Sequence, residues 1–283
     1  MQHYKEEITL QDLAKAARYS PWQALRAFSE LTGKTPFTYI RFVRLSEAAK
    51  QLRDSDKSVL DIALAHAFGS HEGFTKAFSR QFNMPPAHYR KHTPPIPLFT
   101  YYPVADHKLL SQGGFHHMSN SVIFTQVIER PPRKLIVKRG IKAGEYFAYC
   151  EEVGCDVWGI LESIKGTLHE SMGVWFPPAM RKPGTSEYCQ GVEMPVDYAG
   201  PVPEGFEMID LPPCKYMVFQ GEPFEDEQYG EAIGVVWDAI TRYDPTYLGW
   251  EWAPDDGPRF QLAPIGYRGY IEGRPVREYK AKV

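Results

Sequence analysis

The stretch "SPWQALRAFSELTG", residues 20–33, returns fifty positions later as "SHEGFTKAFSRQFN", residues 70–83. Both copies open with serine and share an Ala-Phe pair, and a proline and a tyrosine beyond them recur at the same offset. The first copy ends at Gly33 and the second at Asn83, and these two residue types best adopt the left-handed conformation that ends a helix. The repeat therefore predicts two copies of one helical unit.

A short helix precedes each copy. "LQDLAKAA", residues 10–17, has apolar residues at i, i+3, i+4 and i+7, the pattern of an amphipathic helix. Ser20 then caps the next helix, with Pro21 at its first position, where a missing N–H costs nothing. A short helix, a tight turn and a capped second helix form the helix-turn-helix unit.

The second copy has the same pattern. Ser58 caps "VLDIALAH", "AFGS" forms the turn, and Ser70 caps the helix that follows. Its phenylalanines at i, i+4 and i+8 predict a buried stripe: Phe74, Phe78 and Phe82. Residues 35–56 between the copies read as one longer connecting helix.

A helix-turn-helix unit places the N-terminal residues of its second helix against base edges in the major groove. The residues so placed are Trp22, Gln23, Leu25 and Arg26 in the first copy, and His71, Glu72, Gly73, Thr75 and Lys76 in the second. Arg26 can make two hydrogen bonds with a guanine, Gln23 can make two with an adenine, and Glu72 can accept a hydrogen bond from a cytosine amine. Gly73 costs about 1 kcal/mol inside a helix relative to alanine, which a close approach to DNA would explain. The alternative is a surface helix that merely tolerates these residues.

A second, unrelated repeat occupies the other end of the chain. "PPRKLIVKRG", residues 131–140, returns as "PPCKYMVFQG", residues 212–221. Each copy is followed by a helical stretch and then by two strand-like segments. The pattern predicts two halves, each strand-helix-strand-strand, packed about a pseudo-twofold axis with a cleft between them.

The residues of this cleft are expected to bind a small molecule. Aromatic faces attract organic cations, and a partly buried carboxylate adds Coulomb attraction. The candidate ligand-binding residues are Trp158, Trp175, Tyr188, Glu193, Trp237, Trp250 and Glu272. Glu193 and Glu272 are interpreted as equivalent positions on the two closing strands, and Trp250 and Trp252 as a turn-rich rim. The alternatives are that the mid-helix tryptophans are core anchors and that Glu193 is a solvated strand residue.

Charge divides the chain in the same way. Residues 1–100 hold 14 Lys and Arg against 9 Asp and Glu, a net charge of +5, whereas the rest hold 18 against 26, a net of −8. A basic front half suits a polyanion, and an acidic half with five of the six tryptophans suits another partner. We therefore expect a DNA-binding domain over residues 1–92, a Pro- and Gly-rich linker over 93–120, and a small-molecule-binding domain over 121–283.

The composition also argues against several protein classes. Four scattered cysteines without metal-ligand spacing favour free thiols in a reducing cytoplasm and no metal site. No apolar run is long enough to span a membrane, and the N-terminal residues lack the apolar centre of a secretion signal. No cofactor is expected.

Residues 8–91 resemble the DNA-binding domain of the AraC/XylS family of bacterial transcription regulators. The resemblance is carried by "ITLQDLAKAARYSPWQALRAFSELTGKTPFTYIRFVRLSEAAKQL" and "IALAHAFGSHEGFTKAFSRQFNMPPAHYRK". It implies a sequence-specific regulator in which two helix-turn-helix units enter successive major grooves of one site, with RNA polymerase as a further partner.

Residues 121–279 resemble the GyrI-like domain, with "GFEMIDLPPCKYMVF" as the best-matching stretch. The resemblance implies an effector-binding cleft for small molecules, often the lipophilic cations of multidrug recognition. The family's usual Phe-Glu pair on the penultimate strand reads Phe260-Gln261 here. The expected fold is thus an all-α tandem helix-turn-helix domain followed by a duplicated α+β domain. Some GyrI-like domains are hydrolases, and the alternative function is hydrolysis of an electrophilic small molecule, with Glu193 as base beside Tyr188.

Overall fold

The computed structural model describes residues 4–6, 8–100, 121–225 and 228–280. These residues form two compact units, one containing the first six helices and the other containing the strands. No helix of the described residues is both long and apolar enough to cross a membrane. A helical N-terminal region followed by a sheet-rich region confirms the predicted order of fold classes.

The described residues of the first unit form six helices: α1 Leu10–Ala17, α2 Pro21–Thr32, α3 Pro36–Asp54, α4 Val59–Ala65, α5 His71–Phe82 and α6 Pro86–His92. The first five lie where the periodicity and the caps predict them. The sequence analysis did not identify α6, which at seven residues is too short to show a clear period.

Side-chain caps fix where these helices begin. The side chains of Thr9, Ser20, Ser58 and Ser70 each accept a hydrogen bond from the backbone N–H three residues later. Such a bond satisfies one of the amides that the first helical turn leaves unpaired. Gly33 and Asn83 have φ values of 67° and 56° and end α2 and α5 in the left-handed conformation, as predicted.

The core of this unit lies between the connecting helix and the second helix-turn-helix unit. Phe74, Phe78 and Phe82 of α5 are buried, as the spacing predicts, and belong to one cluster with Leu45 and Leu52 of α3. Because these apolar contacts hold α5 against α3, the opposite side of α5 remains exposed to solvent.

The second unit contains nine strands and three helices in the described part of the chain. The strands are β1 Phe124–Arg130, β2 Arg133–Arg139, β3 Met172–Trp175, β4 Tyr188–Met194, β5 Glu207–Leu211, β6 Cys214–Gln220, β7 Trp250–Trp252, β8 Arg259–Leu262 and β9 Ile271–Glu278. The helices are α7 Tyr146–Val153, α8 Val157–Ser163 and α9 Tyr229–Arg242. The first predicted helical stretch is thus two short helices, interrupted at Gly154, whose φ is 121°.

The strands form one antiparallel sheet in the order β1-β6-β9-β8-β3-β4-β2-β5, with β7 added beside β9. This order is symmetric about the β8–β3 pair: β2, β3 and β4 of the first half correspond to β6, β8 and β9 of the second. The predicted duplication is therefore present. The sequence analysis missed β1 and β5. These two strands are exchanged between the halves: β1 belongs to the first half but pairs with β6 of the second, and β5 belongs to the second half but pairs with β2 of the first.

The sheet curls around a core on one of its faces. Four strands separate β2 from β6, which corresponds to about 24 Å in a flat sheet with strands about 4.8 Å apart. Nevertheless Arg133 Nη2 on β2 donates to the Tyr216 hydroxyl on β6 at 3.1 Å. Apolar side chains from both halves meet in the same cluster, including Leu135, Val174 and Phe260.

Candidate DNA-binding and ligand-binding sites

The beginning of α2 presents most of its predicted DNA-binding residues to solvent. Trp22 is 80% exposed although it is the largest side chain of the helix. Arg26 is exposed, and its Nε lies 2.7 Å from Glu30 one turn later. Gln23 is exposed, but its side-chain Oε1 accepts hydrogen bonds from the backbone N–H and the hydroxyl of Ser20. Leu25 is half-buried.

The beginning of α5 has the same arrangement. His71, Glu72, Gly73 and Lys76 are exposed, and Thr75 is half-buried. The structure adds a local reason for the glycine, because a Cβ at residue 73 would lie 3.1 Å from the Ser70 Oγ that caps the helix. Both helices thus expose most of their N-terminal turn to solvent.

The pseudo-twofold axis of the second unit passes through a pair of residues on the two central strands. Gly173 of β3 lies directly opposite Gln261 of β8. Gly173 also lies opposite Gln190 of β4, and Gln261 lies opposite Glu272 of β9. The symmetric counterpart of Glu272 is therefore Gln190. The prediction that Glu193 corresponds to Glu272 is wrong, because it placed the strands three residues out of register.

Glu193 and Tyr188 lie on opposite faces of the sheet. Successive side chains of a strand alternate between the two faces, so residues an odd number of positions apart point to opposite faces. Tyr188 and Glu193 are five positions apart on β4. The Tyr188 ring contacts the Trp175 ring with centroids 4.8 Å apart. The Glu193 carboxylate instead accepts from Arg130 at 2.8 Å and Arg133 at 2.6 Å inside the curled sheet. The prediction of Glu193 as a base beside Tyr188 is therefore wrong, and so is the alternative of a solvated strand residue, since Glu193 is buried.

Glu272 is the centre of a hydrogen-bonded cluster on the other face. Its Oε2 accepts from the Trp237 indole N–H at 2.8 Å and from the Tyr270 hydroxyl at 2.9 Å. Its Oε1 accepts from Arg274 Nε at 2.9 Å and lies 2.9 Å from Arg259 Nε. Burial raises the pKa of Tyr270 well above its ordinary value, so the hydroxyl stays protonated and donates. The carboxylate is completely buried and has two guanidinium partners.

A cavity of about 440 Å³ adjoins this cluster where β3 and β8 meet. Its walls are mostly aromatic and proline side chains, together with five charged residues. The lining residues are Trp175, Phe176, Pro177, Pro178, Arg181, Glu187, Trp252, Pro254, Asp255, Arg259, Arg274 and Pro275. Its volume falls in the range of about 300–1,000 Å³ that is typical of small-molecule sites.

The structure brings only some of the predicted ligand-binding residues together. Trp175 lines the cavity, while Trp237 and Glu272 are joined to it through Arg259. Trp158 is buried, and its indole donates to Glu162 at 3.1 Å, which fits the core-anchor alternative. Trp250 lies in strand β7 and packs against the core cluster of the second half. The interpretation of residues 250–252 as part of a turn-rich segment is wrong, because they form a strand. Trp252 does line the cavity.

Sequence reasoning missed Arg259, Arg274 and Tyr270. One signal was available, since "YIEGR" places Tyr270, Glu272 and Arg274 at alternate positions and hence on one face of a strand. No comparable signal identifies Arg259, because its position beside Trp175 depends on the pairing of β3 with β8.

The N-terminal region is similar to known regulators. A family model described as "Helix-turn-helix domain" matches residues 13–92. The chain is 42% identical over 89 residues to the transcriptional regulator Rob of Salmonella typhimurium, a match that covers 31% of each chain. It is 41% identical over 87 residues to the probable transcription factor PqrA of Proteus vulgaris, which covers 31% of this chain and 71% of PqrA.

A solved structure, the DNA-binding domain of AdpA in complex with a target DNA, has 28% sequence identity and a TM-score of 0.31, covering 40% of this chain and 89% of that one. Of the two curated relatives, Rob is matched over about a third of its length and PqrA over more than two thirds of its length. The similarity to PqrA, of which this chain covers 71%, shows together with the paired, capped helices that the chain belongs to the AraC/XylS family and carries its helix-turn-helix domain in residues 13–92.

Proposed function

We propose that the chain is a ligand-responsive regulator whose two recognition helices occupy successive major grooves of one promoter site. The observation that carries this proposal is the exposure of the same N-terminal turn in α2 and α5, each held by a serine cap. Two like units joined by one 19-residue helix can address two grooves of a single asymmetric site.

The residues of each turn take different roles in the proposal. Arg26 recognises a guanine and Glu72 a cytosine amine, because their donors and acceptors match those base edges. Gln23 recognises an adenine only after it releases Ser20, since its acceptor oxygen serves the cap. Trp22, Leu25, His71, Gly73, Thr75 and Lys76 complete the two contact surfaces.

The second unit supplies the response to a small molecule. Support comes from the cavity of about 440 Å³ and from the two symmetric halves of the sheet, an arrangement that the sequence resemblance to the GyrI-like domain implies. The tryptophans and prolines that line the cavity favour an apolar, aromatic ligand. Ligand binding changes promoter engagement, or contact with RNA polymerase, only if the ligand binds two states of the chain with different affinities.

DNA binding is tested with the full chain on an operator selected from random duplexes. We expect fluorescence anisotropy to show a steep loss of affinity with salt, because phosphate contacts release counterions. Arg26→Ala weakens binding by about tenfold or more and relaxes the preference for one base pair. Lys142→Ala, an exposed lysine in the second unit, is the matched control and leaves affinity unchanged.

A flat salt response, or equal losses in Arg26→Ala and Lys142→Ala, would contradict the proposed DNA surface. The response to ligand is measured in the same assay by adding aromatic small molecules to the preformed complex. A ligand that binds the chain without changing either DNA affinity or transcription in vitro with RNA polymerase would contradict the sensing role.

A further inference from the structure

The charges of the cavity beside Glu272 define the chemical class of ligand that it accepts. The sequence predicts an organic cation, attracted by a carboxylate among aromatic rings. Inside the structure that carboxylate is already neutralised.

Glu272 is not available to a ligand. A carboxylate accepts about four hydrogen bonds, and four donors from the described residues surround this one: Trp237, Tyr270, Arg259 and Arg274. The side chain is also completely inaccessible to solvent. A ligand cation would therefore have to displace a guanidinium before it reached the acid.

The two arginines, in contrast, face the cavity. Their side chains are 29% and 32% exposed, and both line the cavity wall. The hydrogen bond that the structure gives Arg274 uses Nε, so its two terminal nitrogens remain for a further acceptor. Arg259 uses Nη2 for Glu272 at 3.3 Å and lies over the Trp175 ring with its guanidinium carbon 4.0 Å from the centroid.

Two of the remaining wall charges neutralise each other. Arg181 and Glu187 form an ion pair at 2.5 Å. Asp255 is exposed at the rim, and with Glu251 and Asp256 it acts on Arg277, whose pKa is raised chiefly by its hydrogen bond to Glu251. Asp255 adds one negative charge at the exposed rim, whereas the cluster of Glu272 with two arginines leaves one positive charge in excess beside the apolar wall.

We propose that the effector is an apolar, aromatic anion, such as an aryl carboxylate, which Arg259 and Arg274 bind as paired donors. This inference rests on the proposed small-molecule response and reverses the sign of charge that the sequence predicts. Glu272 positions both guanidiniums, Arg274 through Nε and Arg259 through Nη2, so that the carboxylate of the ligand meets preorganised donors. The rings of the ligand pack against Trp175 and Trp252.

The test uses the full chain and three naphthalene probes of nearly equal shape: 2-naphthoate, neutral 2-naphthamide and the cationic 2-naphthyltrimethylammonium. Isothermal titration calorimetry is expected to give naphthoate the lowest Kd. Arg274→Gln weakens naphthoate by about tenfold or more, since a charge-assisted contact is lost, and changes naphthamide by less than about threefold. Arg277→Gln is the matched control, because Arg277 is also ion-paired to an acid but does not line the cavity.

Glu272→Gln separates the two signs of charge. A cation-binding site loses affinity when its acid is removed, whereas the proposed site retains naphthoate binding, because the glutamine oxygen still accepts from the two arginines and no longer competes for their charge. Thermal melting tests whether Glu272→Gln, a change at a buried residue, still folds. If this variant is unfolded, the affinity of Arg274→Gln for naphthoate, a change at a partly exposed residue, decides between an anion site and a cation site.

Tighter binding of the ammonium probe than of naphthoate would overturn the inference and leave the proposed ligand response intact. Unchanged naphthoate affinity in Arg274→Gln would also overturn it. Absence of binding by all three probes would count against the inference and the ligand response together, while the DNA-binding assay would be unaffected.

Discussion

At the residue scale, two glutamates of the same domain have opposite roles because of strand alternation. Glu193 points into the core of the curled sheet, where Arg130 and Arg133 pair with it. Glu272 points to the helix-covered face, where it organises the cavity. Composition alone identifies both as candidate acids, but only the register of β4 and β9 with their neighbours decides which face each one occupies.

Removal of Glu193 is expected to affect stability and not ligand binding. Glu193→Ala leaves two buried guanidiniums without their partner, and loss of one member of a buried ion network costs about 3–5 kcal/mol. Urea denaturation measures this loss, and calorimetry with naphthoate should show an affinity close to that of the wild type. Glu187→Ala, at the more exposed Arg181 pair, serves as control and costs less than about 1 kcal/mol. Similar losses in both variants would contradict the buried network.

His66 makes stability depend on pH. Burial, as the main cause, lowers the pKa of His66 to about 4, and its ring Nε2 lies 3.1 Å from Gln51 Oε1. Between about pH 6.5 and pH 4 the unfolded chain binds a proton that the folded chain does not, so this residue lowers stability as the pH falls through that window. Below about pH 4 the loss is complete, and above about pH 6.5 it is absent.

The measurement compares urea midpoints of the wild type and His66→Gln between pH 4 and pH 7. We expect a smaller slope for the variant, since glutamine does not titrate. Burial also lowers the pKa of His169, but both proteins contain this residue. The difference between their two pH slopes therefore reports His66 alone. Parallel slopes would exclude this role.

At the element scale, the first unit was predictable because its signals are local. Serine caps, left-handed C-terminal residues and the phenylalanine stripe lie within one helix or beside it. The second unit was predictable in order but not in detail. Strand β1 has no partner nearby in sequence, and the break between α7 and α8 depends on one glycine, Gly154.

The tryptophans show the same limit. Trp158 and Trp237 occupy matching helices, yet Trp158 is 2% exposed and Trp237 is 40% exposed. Their indole partners also differ, Glu162 on the same helix for one and Glu272 on the sheet for the other. Helical periodicity cannot distinguish a core anchor from a partly exposed tryptophan that bonds to the sheet, because the difference arises from the packing of separate elements.

Gly73 of α5 separates helix stability from DNA recognition. Gly73→Ala gains helix propensity, but its Cβ lies close to the capping hydroxyl of Ser70, so the melting temperature should change by only a few degrees. If the backbone approaches the DNA closely, affinity for the selected operator should fall by about fivefold or more. Unchanged affinity in the anisotropy assay would assign the glycine to the cap alone.

At the scale of the whole second unit, the exchanged strands make its two halves interdependent. Strand β1 pairs along seven residues with β6, and β5 pairs along five residues with β2. Each half by itself therefore has an unpaired strand and an open side of the apolar cluster. If either half folded alone, its unpaired strand and the open side of its apolar cluster would be exposed to solvent.

Separate fragments test this interdependence. Residues 121–200 and 201–280 are each expected to lack a cooperative thermal transition by circular dichroism, while the full chain shows one for this unit. Mixing the fragments should restore part of the sheet signal, because the missing partners are then present. Cooperative melting of either fragment alone would contradict the exchange of strands.

The exchange of β1 and β5 also sets the order of events when the chain is synthesised. Strand β1 ends at Arg130, but its partner β6 begins only at Cys214. Contacts between such distant residues give a high contact order and slow folding, whereas the helices of the first unit make mostly local contacts. Domains fold as units and the N-terminal one folds first during synthesis. The helices of the first unit can thus fold before the partner of β1 has been synthesised, and under the proposed function the nascent chain binds DNA before it can bind a ligand.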